Sequence, residues 1–251
     1  PERLGRDHAR RAARLSAMSE PLHILLEDNH CLAVVKPASL LTQGPPGVPS
    51  LELMVKAYLK EKYHKPGNVY LGVPHRLDRP VSGVVLFARN SKAADRLAEQ
   101  FRERQVTKIY WGAVEGTIDP QEGEWEDSLR KIVDQARTEI VAPDIEGAKR
   151  AVLRYRVLQA CSGGSLVEFQ PLTGRMHQIR VQAAAHGHPL IGDTLYGATR
   201  PFSPSAELAR DRAIALHARS LTFLHPLRYE PITLTAPLPS VWHDLGIACD
   251  G

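Results

Sequence analysis

The sequence predicts an α+β fold, and three observations support this prediction. Strand-like and helix-like segments are mixed without the strict strand–helix–strand alternation of a doubly wound sheet. No segment repeats at a fixed period, which excludes repeat architectures. The 251 residues, 43% of them hydrophobic, suffice for one large domain or two small ones with a substantial core.

The first residues differ in composition from the rest of the chain. Residues 1–20 contain five arginines among alanines and few large apolar side chains. We expect a basic N-terminal arm that is poorly ordered, and contact with an anionic partner such as RNA is the alternative. Globular sequence begins at Pro21, and we expect one domain over residues 21–246.

Two short strands and a helix are predicted at the start of this domain. His23–Asp28 and Cys31–Val35 are strand-like and flank a turn at residues 28–30. Ser50 is a typical N-cap residue and predicts a helix that extends to about Tyr63. The apolar side chains of that helix share one face: Leu51, Met54, Val55 and Leu59.

A strand, a helix and another strand are predicted next. The apolar run Val84–Ala88 is typical of a buried strand. Ser91 is predicted to cap a helix over residues 92–104, and Thr107–Val114 is strand-like. Residues 115–143 are charged and weakly patterned, which predicts turns and short strands.

The second half of the domain begins with a hairpin. Arg150–Ala160 and Leu166–Pro171 are its predicted strands, joined by a Ser-Gly-Gly turn. A helix is predicted over about residues 176–186, and Gly187 suits the left-handed position that follows a helix. Leu216–Ala236 is again strand-like.

Charge and cysteine content narrow the class of protein. A formal net charge of +4 and a pI near 9.0 indicate an anionic partner. Cys31, Cys161 and Cys249 are odd in number and far apart, which predicts a reducing cytoplasm and no disulfide framework. No apolar run approaches the ~20 residues that span a bilayer, so we expect neither a membrane span nor a signal peptide.

The first of three chemical motifs is His75–Gly83. Asp78 stands between Arg76 and Arg79, just before Ser82-Gly83 and the apolar strand. Ser-Gly is typical of a turn, and a carboxylate beside two cations is held ionised. We therefore expect Asp78 to be a charged acid displayed at the edge of a loop.

The second motif lies on the predicted strand Thr107–Val114. Strand alternation sends Tyr110 to one face and its neighbours Ile109 and Trp111 to the other. A tyrosine on a strand is most often a packing residue whose hydroxyl is satisfied at the rim. Taken alone, this motif does not predict a site.

The third motif is Leu172–Arg180, at the start of a predicted helix. Arg175, His177 and Arg180 surround that helix start, where free N–H groups and the helix dipole favour an anion. His177 and Arg180 are three residues apart and would share a face. The density of basic side chains favours phosphate binding over a solvated helix end.

In this order, the motifs resemble those of pseudouridine synthases of the ribosomal large-subunit synthase A type. The resemblance covers roughly residues 24–234 and is specific because order and spacing agree. The matching segments are His75–Asp78 with Ser82-Gly83, Lys108–Tyr110, Gly174–Arg180 with Gly187–Pro189, Gly192-Asp193 with Tyr196-Gly197, and Leu216–Ala218 with Leu221, Phe223, His225 and Pro226.

The resemblance implies a fold, an activity and roles for the site residues. The fold would have a mixed, mainly antiparallel central sheet with flanking helices and a catalytic cleft. The activity would be isomerisation of uridine in structured RNA to pseudouridine by base flipping, without a cofactor or a metal. Asp78 would be the essential acid, as nucleophile or as base, and Arg180 would pair with it. Tyr110 would stack on the base, and its hydroxyl is a candidate for taking the C5 proton.

Further residues would bind RNA by the same resemblance. Arg76 would fill the space that the flipped base leaves, and Leu216 would form the floor of the pocket. Positioning or phosphate contacts are expected from the remaining polar residues of the motifs: His75, Arg175, His177 and Lys36. Val81 and Ser39 depart from the family's usual threonine and glycine, which bears on substrate preference.

The expected partner is RNA, with ribosomal RNA first and transfer RNA second, and the simplest oligomeric state is a monomer. Residues 1–20 are too few for the separate N-terminal RNA-binding domain that many relatives carry. One alternative is an RNA-binding protein of the same fold without catalysis. A second is a metal-dependent hydrolase that uses histidines and an acid: His177, His186, His188, His217 and Asp193. No His pair in it has the spacing of a metalloprotease helix.

Overall fold

The structure is a computed structural model, and it describes residues 21–202 and 212–248. The predicted N-terminal arm, residues 1–20, lies outside the described residues. The helices are α1 (Leu51–Lys62), α2 (Ser91–Arg102) and α3 (Gln178–Ala185), with 3₁₀ turns at Thr194–Tyr196 and Ser240–Leu245. The strands are β1 (Ile24–Glu27), β2 (Cys31–Lys36), β3 (Ser82–Ala88), β4 (Thr107–Glu115), β5 (Glu122–Lys131), β6 (Thr138–Ile140), β7 (Lys149–Cys161), β8 (Gly164–Pro171), β9 (Leu216–Leu224) and β10 (Pro231–Thr235).

The strands of the described residues form one mixed sheet. Its order is β1-β2-β3-β9-β4-β8-β7-β5-β6, and β10 pairs with β9. Neighbouring strands are antiparallel except for β3 and β9, which are parallel. This confirms the predicted α+β class with a mainly antiparallel sheet.

The short parallel contact between β3 and β9 positions the first motif. Gly83 has φ +121°, and a Cβ there would lie 2.3 Å from the carbonyl oxygen of Ala218, so only glycine allows this approach. Ser82 Oγ lies 2.8 Å from Nδ1 of His217. Ser82-Gly83 is thus part of β3, and the predicted turn is wrong because backbone contact with β9 extends the strand.

Helices cover both faces of the sheet at the β2–β3 end. Alternate side chains of β2 point to opposite sides, as the strand period requires. Leu32 and Val34 belong to the core cluster that includes α1 and α3, whereas Cys31 and Ala33 pack with α2. The predicted flanking helices are confirmed. Among the described residues, the model contains no helix whose length and apolar character would let it cross a membrane.

Several local predictions are confirmed. Ser50 caps α1, with its hydroxyl accepting a hydrogen bond from Leu53 N. The hairpin of β7 and β8 turns at Gly163, and Gly187 has the expected positive φ, +86°, after α3.

Three local predictions are wrong. Asn90, and not Ser91, is the N-cap of α2, because its Oδ1 accepts from Ala93 N at 2.9 Å. Residues 115–143 contain the ten-residue strand β5, whose charged side chains pair with those of β7 across the sheet surface. The third helix begins at Gln178, because His177 has a left-handed backbone with φ +54°.

Candidate active site

A cleft of about 530 Å³ opens beside the first motif. Its walls come from the loop before β3, the end of α2, the start of β4 and the segment that leads into α3. The cleft brings together most of the site residues predicted from the sequence: His75, Arg76, Asp78, Tyr110, Arg175, His177, Arg180 and Leu216. Residues distant in sequence therefore form one site, with Leu216 at the start of β9.

Asp78 is partly exposed in this cleft and is contacted from one side. Its side chain is 32% exposed. Nη1 of Arg180 lies 3.4 Å from Oδ2 of Asp78, and Nε2 of His177 lies 3.5 Å from the same oxygen. Among the described residues, Oδ1 has no hydrogen-bond partner, so it is the oxygen left for a substrate. The predicted pairing of Arg180 with Asp78 is present in the geometry, with distances long enough to tighten on binding.

The two arginines that flank Asp78 in sequence have different surroundings from those expected. Arg79 donates from Nε to the carbonyl of Ser39 at 3.1 Å, and Arg76 is exposed at the cleft. The cation next to the Asp78 carboxylate is Arg180, as the resemblance implied, and not one of the two arginines adjacent in sequence.

Arg180 is itself fixed by Asp193, an acid that was considered from the sequence only as a metal ligand of the hydrolase alternative. Nε and Nη2 of Arg180 donate to the two oxygens of Asp193 at 2.6 and 2.8 Å. The Arg180 and Asp193 side chains are 6% and 2% exposed. Burial alone would lower the pKa of Arg180, but the hydrogen bonds and charge of Asp193 raise it. The only sequence signal for Asp193 was its place in the third motif.

Tyr110 lies on β4 next to a bulge in the pairing with β9, between Ile109 and Tyr110. Its ring packs partly against the core and partly lines the cleft. Burial raises the pKa of the Tyr110 hydroxyl, and the negative charge of Asp78 raises it further. The phenol is therefore protonated at neutral pH.

His75 is held in the wall of the cleft. Its Nε2 accepts a hydrogen bond from Leu86 N at 2.9 Å, and its ring stacks on Phe101 with centroids 4.6 Å apart. Burial, together with the charge of Lys108, lowers the pKa of His75 to about 3. The ring is neutral and is held by Leu86 and Phe101, so of the two roles expected for His75 positioning fits this geometry and a phosphate contact does not.

Lys36 is the one predicted RNA contact that lies outside the cleft lining. Its side chain is fully buried, and Nζ donates to the carbonyls of Pro37, Leu40 and Arg79 at 2.8, 2.7 and 3.2 Å. Burial lowers the pKa of Lys36 to about 7. Of the two roles expected for Lys36, a phosphate contact does not fit because the buried ammonium cannot reach a phosphate, whereas a positioning role does fit. Lys36 instead holds the loop that carries Asp78.

The rim of the cleft is more basic than the motifs alone suggested. Arg76 is exposed there, and Arg175 is oriented by a hydrogen bond from Nε to the carbonyl of Arg150 at 3.1 Å. Three further cations line the cleft that sequence reasoning did not include: Arg102, Arg104 and Lys108. In the sequence, Arg102 and Arg104 lie at the end of a predicted helix, and Lys108 lies at the start of the following strand. Such a rim attracts a polyanion.

The histidines of the metal-hydrolase alternative do not gather into one site. His186 stacks on Trp125 with centroids 4.6 Å apart, and His188 lies 3.3 Å from the carbonyl of Glu115. His217 is bonded to Ser82, far from both in the sheet. The three histidines contact different parts of the protein and therefore do not form one metal site.

A different trio, Asp28, Cys31 and His225, has potential metal ligands within 4.8 Å of one another. Nδ1 of His225 accepts hydrogen bonds from the backbone N–H groups of Leu227 and Arg228 at 3.2 and 3.0 Å. Its proton is therefore on Nε2, which donates to Oδ2 of Asp28 at 2.9 Å. This hydrogen bonding leaves His225 without a lone pair for a metal.

Comparisons with known proteins identify the family of this chain. The family model described as RNA pseudouridylate synthase matches residues 30–185. The chain is 34% identical to a tRNA pseudouridine synthase C of Haemophilus ducreyi, covering 89% of this chain and 94% of that protein. It is 31% identical to a ribosomal large subunit pseudouridine synthase C of Vibrio parahaemolyticus, covering 91% and 70%.

A solved structure gives the same answer at the level of fold. The human RNA pseudouridylate synthase domain containing 4 superposes with a TM-score of 0.71 at 27% identity, covering 89% of this chain and 93% of that one. The family match spans the first motif, the tyrosine strand and all of α3, which contribute to the cleft. The chain therefore belongs to the RNA pseudouridine synthases, isomerases that convert uridine in RNA to pseudouridine.

Proposed function

We propose that this protein modifies uridine in large-subunit ribosomal RNA and that Asp78 acts on the ribose of the target nucleotide. One observation carries the assignment of Asp78: a carboxylate in a basic cleft, held on Oδ2 and open on Oδ1. The reaction breaks the N1–C1′ bond, turns the uracil and joins C5 to C1′. The C5 proton leaves and N1 gains one, so substrate and product are isomers.

The cleft has the size and shape needed for a flipped nucleotide. Its volume of about 530 Å³ lies in the range of small-ligand sites. Leu216 forms an apolar floor, and the ring of Tyr110 offers a surface on which the uracil stacks. Taking a base out of its stack costs a few kcal/mol. The planar guanidinium of Arg76, exposed at the rim, compensates by entering the vacated space.

Two chemical routes fit the position of Asp78. As a nucleophile, its carboxylate attacks C1′ and holds the sugar while the uracil turns. As a base, it removes a proton from C2′ and returns it later. Both routes need an ionised carboxylate, and Nη1 of Arg180 lies 3.4 Å from its Oδ2.

The hydroxyl of Tyr110 does not act as a free base. Its pKa is raised by burial and by Asp78, so it carries its proton at neutral pH. It can receive the C5 proton only while its own proton passes to another group. We therefore assign Tyr110 mainly to stacking and holding of the uracil.

The cations that line the cleft bind the RNA backbone. Arg102 and Arg104 are exposed near the end of α2, and the half-buried Lys108 and Arg175 lie on β4 and on the segment before α3. Such contacts set affinity and its salt dependence without reading sequence. Transfer RNA is the second candidate substrate, favoured by the match to the tRNA pseudouridine synthase of Haemophilus ducreyi.

A tritium-release assay tests the proposed function. Transcripts of large-subunit ribosomal RNA and of transfer RNAs, labelled with tritium at C5 of uridine, release label when the C5–C1′ bond forms. We expect release from the ribosomal transcript, loss of it in Asp78→Asn, and full activity in Asp95→Asn, an exposed acid on α2. An active Asp78→Asn would refute the assignment of the acid. Release from transfer RNA alone would replace the substrate.

We also infer that the protein acts as a monomer in the cytoplasm. A monomer is the simplest state for this chain, and Asp78, His177 and Arg180 meet within one copy of it. Cys31 and Cys161 are free thiols, as in a reducing compartment. Light scattering of the purified protein and fractionation of cells test the two statements, and a dimer or a membrane fraction would contradict them.

A further inference from the structure

The two side chains that contact Oδ2 of Asp78 are both supported by one short segment. Arg180 is held by Asp193, and Nδ1 of His177 lies 2.9 Å from the hydroxyl of Tyr196. Tyr196 ends the 3₁₀ turn Thr194–Tyr196, which directly follows Asp193. This segment therefore stands behind the catalytic acid on the side away from the cleft.

The hydroxyl of Tyr196 determines where the proton of His177 lies. That hydroxyl oxygen accepts a hydrogen bond from the backbone N–H of Thr138 at 3.0 Å. Within the described residues, the remaining partner of the hydroxyl is Nδ1 of His177, so the hydroxyl donates its proton there. Nδ1 is thus the acceptor, and a neutral His177 carries its proton on Nε2.

The other end of the imidazole agrees with this tautomer. Nε2 lies 3.5 Å from Oδ2 of Asp78, where an N–H attracts the carboxylate and a lone pair would repel it. Burial lowers the pKa of His177, and the charge of Arg180 lowers it further against the effect of Asp78. The ring is therefore neutral at neutral pH, and its tautomer decides whether an N–H or a lone pair of Nε2 faces Asp78.

The backbone of His177 also serves this contact. His177 has φ +54°, a left-handed conformation that is uncommon for a residue other than glycine. Such conformations concentrate at functional sites, where the surrounding structure compensates for their cost. Here the conformation ends the loop before α3 and places the imidazole between Tyr196 and Asp78.

We infer that Tyr196 is a positioning residue that holds His177 as its Nε2–H tautomer, and that His177 together with Arg180 orients Asp78 for the reaction. The ring of Tyr196 also lies under the guanidinium of Arg180, 5.2 Å from centroid to Cζ, so one side chain backs both contacts. The inference rests on the proposed role of Asp78. Of the two roles expected for His177 from the sequence, it selects positioning over a phosphate contact.

Removal of the Tyr196 hydroxyl is the first test. In Tyr196→Phe the ring remains, but Nδ1 of His177 loses its donor and the tautomer is no longer fixed. We expect the single-turnover rate constant on the labelled ribosomal transcript to fall about tenfold, while the Kd for that RNA stays within about twofold. The matched control is Tyr58→Phe, which loses a hydroxyl bonded to Glu27 at 2.8 Å on α1 and should keep the full rate.

Two substitutions of His177 separate positioning from folding. Gln places its amide N–H near the former Nε2 and can still donate to Asp78, whereas Asn reaches only the former Nδ1. Asn tolerates a left-handed backbone better than Gln, so a folding effect would favour His177→Asn. The proposed role requires the opposite order, with His177→Gln retaining about fivefold more of the single-turnover rate.

The outcomes distinguish this inference from the proposed function. Equal rates for Tyr196→Phe and wild type, or a His177→Asn that matches His177→Gln, would refute the positioning role alone. If the His177 variants had a raised Kd for RNA and an unchanged rate at saturating protein, His177 would be an RNA contact and not a positioning residue. Inactive wild type, or an active Asp78→Asn in the same assay, would refute the proposed function instead.

Discussion

Replacement of Asp193 by Asn tests whether the buried acid behind Arg180 holds the site together. Arg180 is 6% exposed, and two of its nitrogens bond to Asp193. In Asp193→Asn the guanidinium keeps only Asp78, at 3.4 Å, as a counter-ion. Breaking a buried ion pair by neutralising one partner costs about 3–5 kcal/mol. For a domain of this size, that corresponds to a fall in Tm of roughly 6–20 °C.

The matched control has the same hydrogen bonds without the burial. Arg150 and Glu126 form a pair with two contacts of 2.6 Å, but their side chains are 64% and 52% exposed. Water and salt screen such a pair, so Glu126→Gln should leave the free energy of unfolding nearly unchanged. Both substitutions turn a carboxylate into an amide, and only the surroundings differ.

Urea unfolding followed by tryptophan fluorescence measures both variants, since Trp125 and Trp242 are buried. We expect a lower midpoint with the same slope for Asp193→Asn, together with a reduced single-turnover rate because Arg180 loses its orientation. Equal stability losses in the two variants would refute the argument from burial. An unchanged Asp193→Asn would show that Asp78 alone compensates the charge of Arg180.

Three further predictions follow from the same geometry. Gly83→Ala should lower the free energy of unfolding by about 3 kcal/mol or more in the urea assay, because its Cβ meets the backbone of Ala218; a neutral result would contradict the close approach. Arg175→Ala should reduce the slope of log Kd against log salt for RNA by about 1, whereas Lys36→Gln should not change it, and a reduced slope for Lys36→Gln would mean that this amine reaches RNA. Hydrogen bonds with Lys62, Tyr63 and Tyr58 outweigh burial and hold the pKa of Glu27 at about 2, below its usual 4.5. Its contribution to stability is therefore complete above about pH 4.5 and lost as the pH falls toward 2, and Glu27→Gln should flatten this part of the stability profile.

The sequence was sufficient where the cause of a structure is local. Ser50 caps α1 because its own side chain bonds three residues on, and Gly187 ends α3 because its own backbone takes positive φ. The motifs likewise located Asp78, Tyr110 and Arg180 in one cleft, through a resemblance that carries long-range information.

The sequence was insufficient to predict the structure where a residue distant in the chain determines the local conformation. Ser82-Gly83 is typical of a turn in sequence, but pairing with β9 makes it part of β3. The residues near position 82 do not indicate that His217 is the hydrogen-bond partner of Ser82. The charged segment at β5 looks irregular until the arginines of β7 pair with it. His177 belongs to the helix by spacing, but contacts at both ends of its ring accompany a left-handed backbone.

Burial, which the sequence does not display, divides the basic residues of this site into two groups. Exposed cations such as Arg76 and Arg104 are hydrated and can contact phosphates. Lys36 and Arg180 are enclosed, and each is bound to partners in the protein. A buried cation that is bonded to fixed partners in the protein is poorly placed to bind RNA. It does, however, fix the position of the groups to which it is bonded.

These enclosed cations approach Asp78, the proposed catalytic acid, from separate elements. Lys36, at the end of β2, bonds the carbonyl of Arg79 next to Asp78, while Arg180 on α3 contacts the carboxylate itself. The main chain and the side chain of Asp78 are thus held independently. A substrate that binds at Oδ1 then need not fix the orientation of Asp78, because folding has already fixed it.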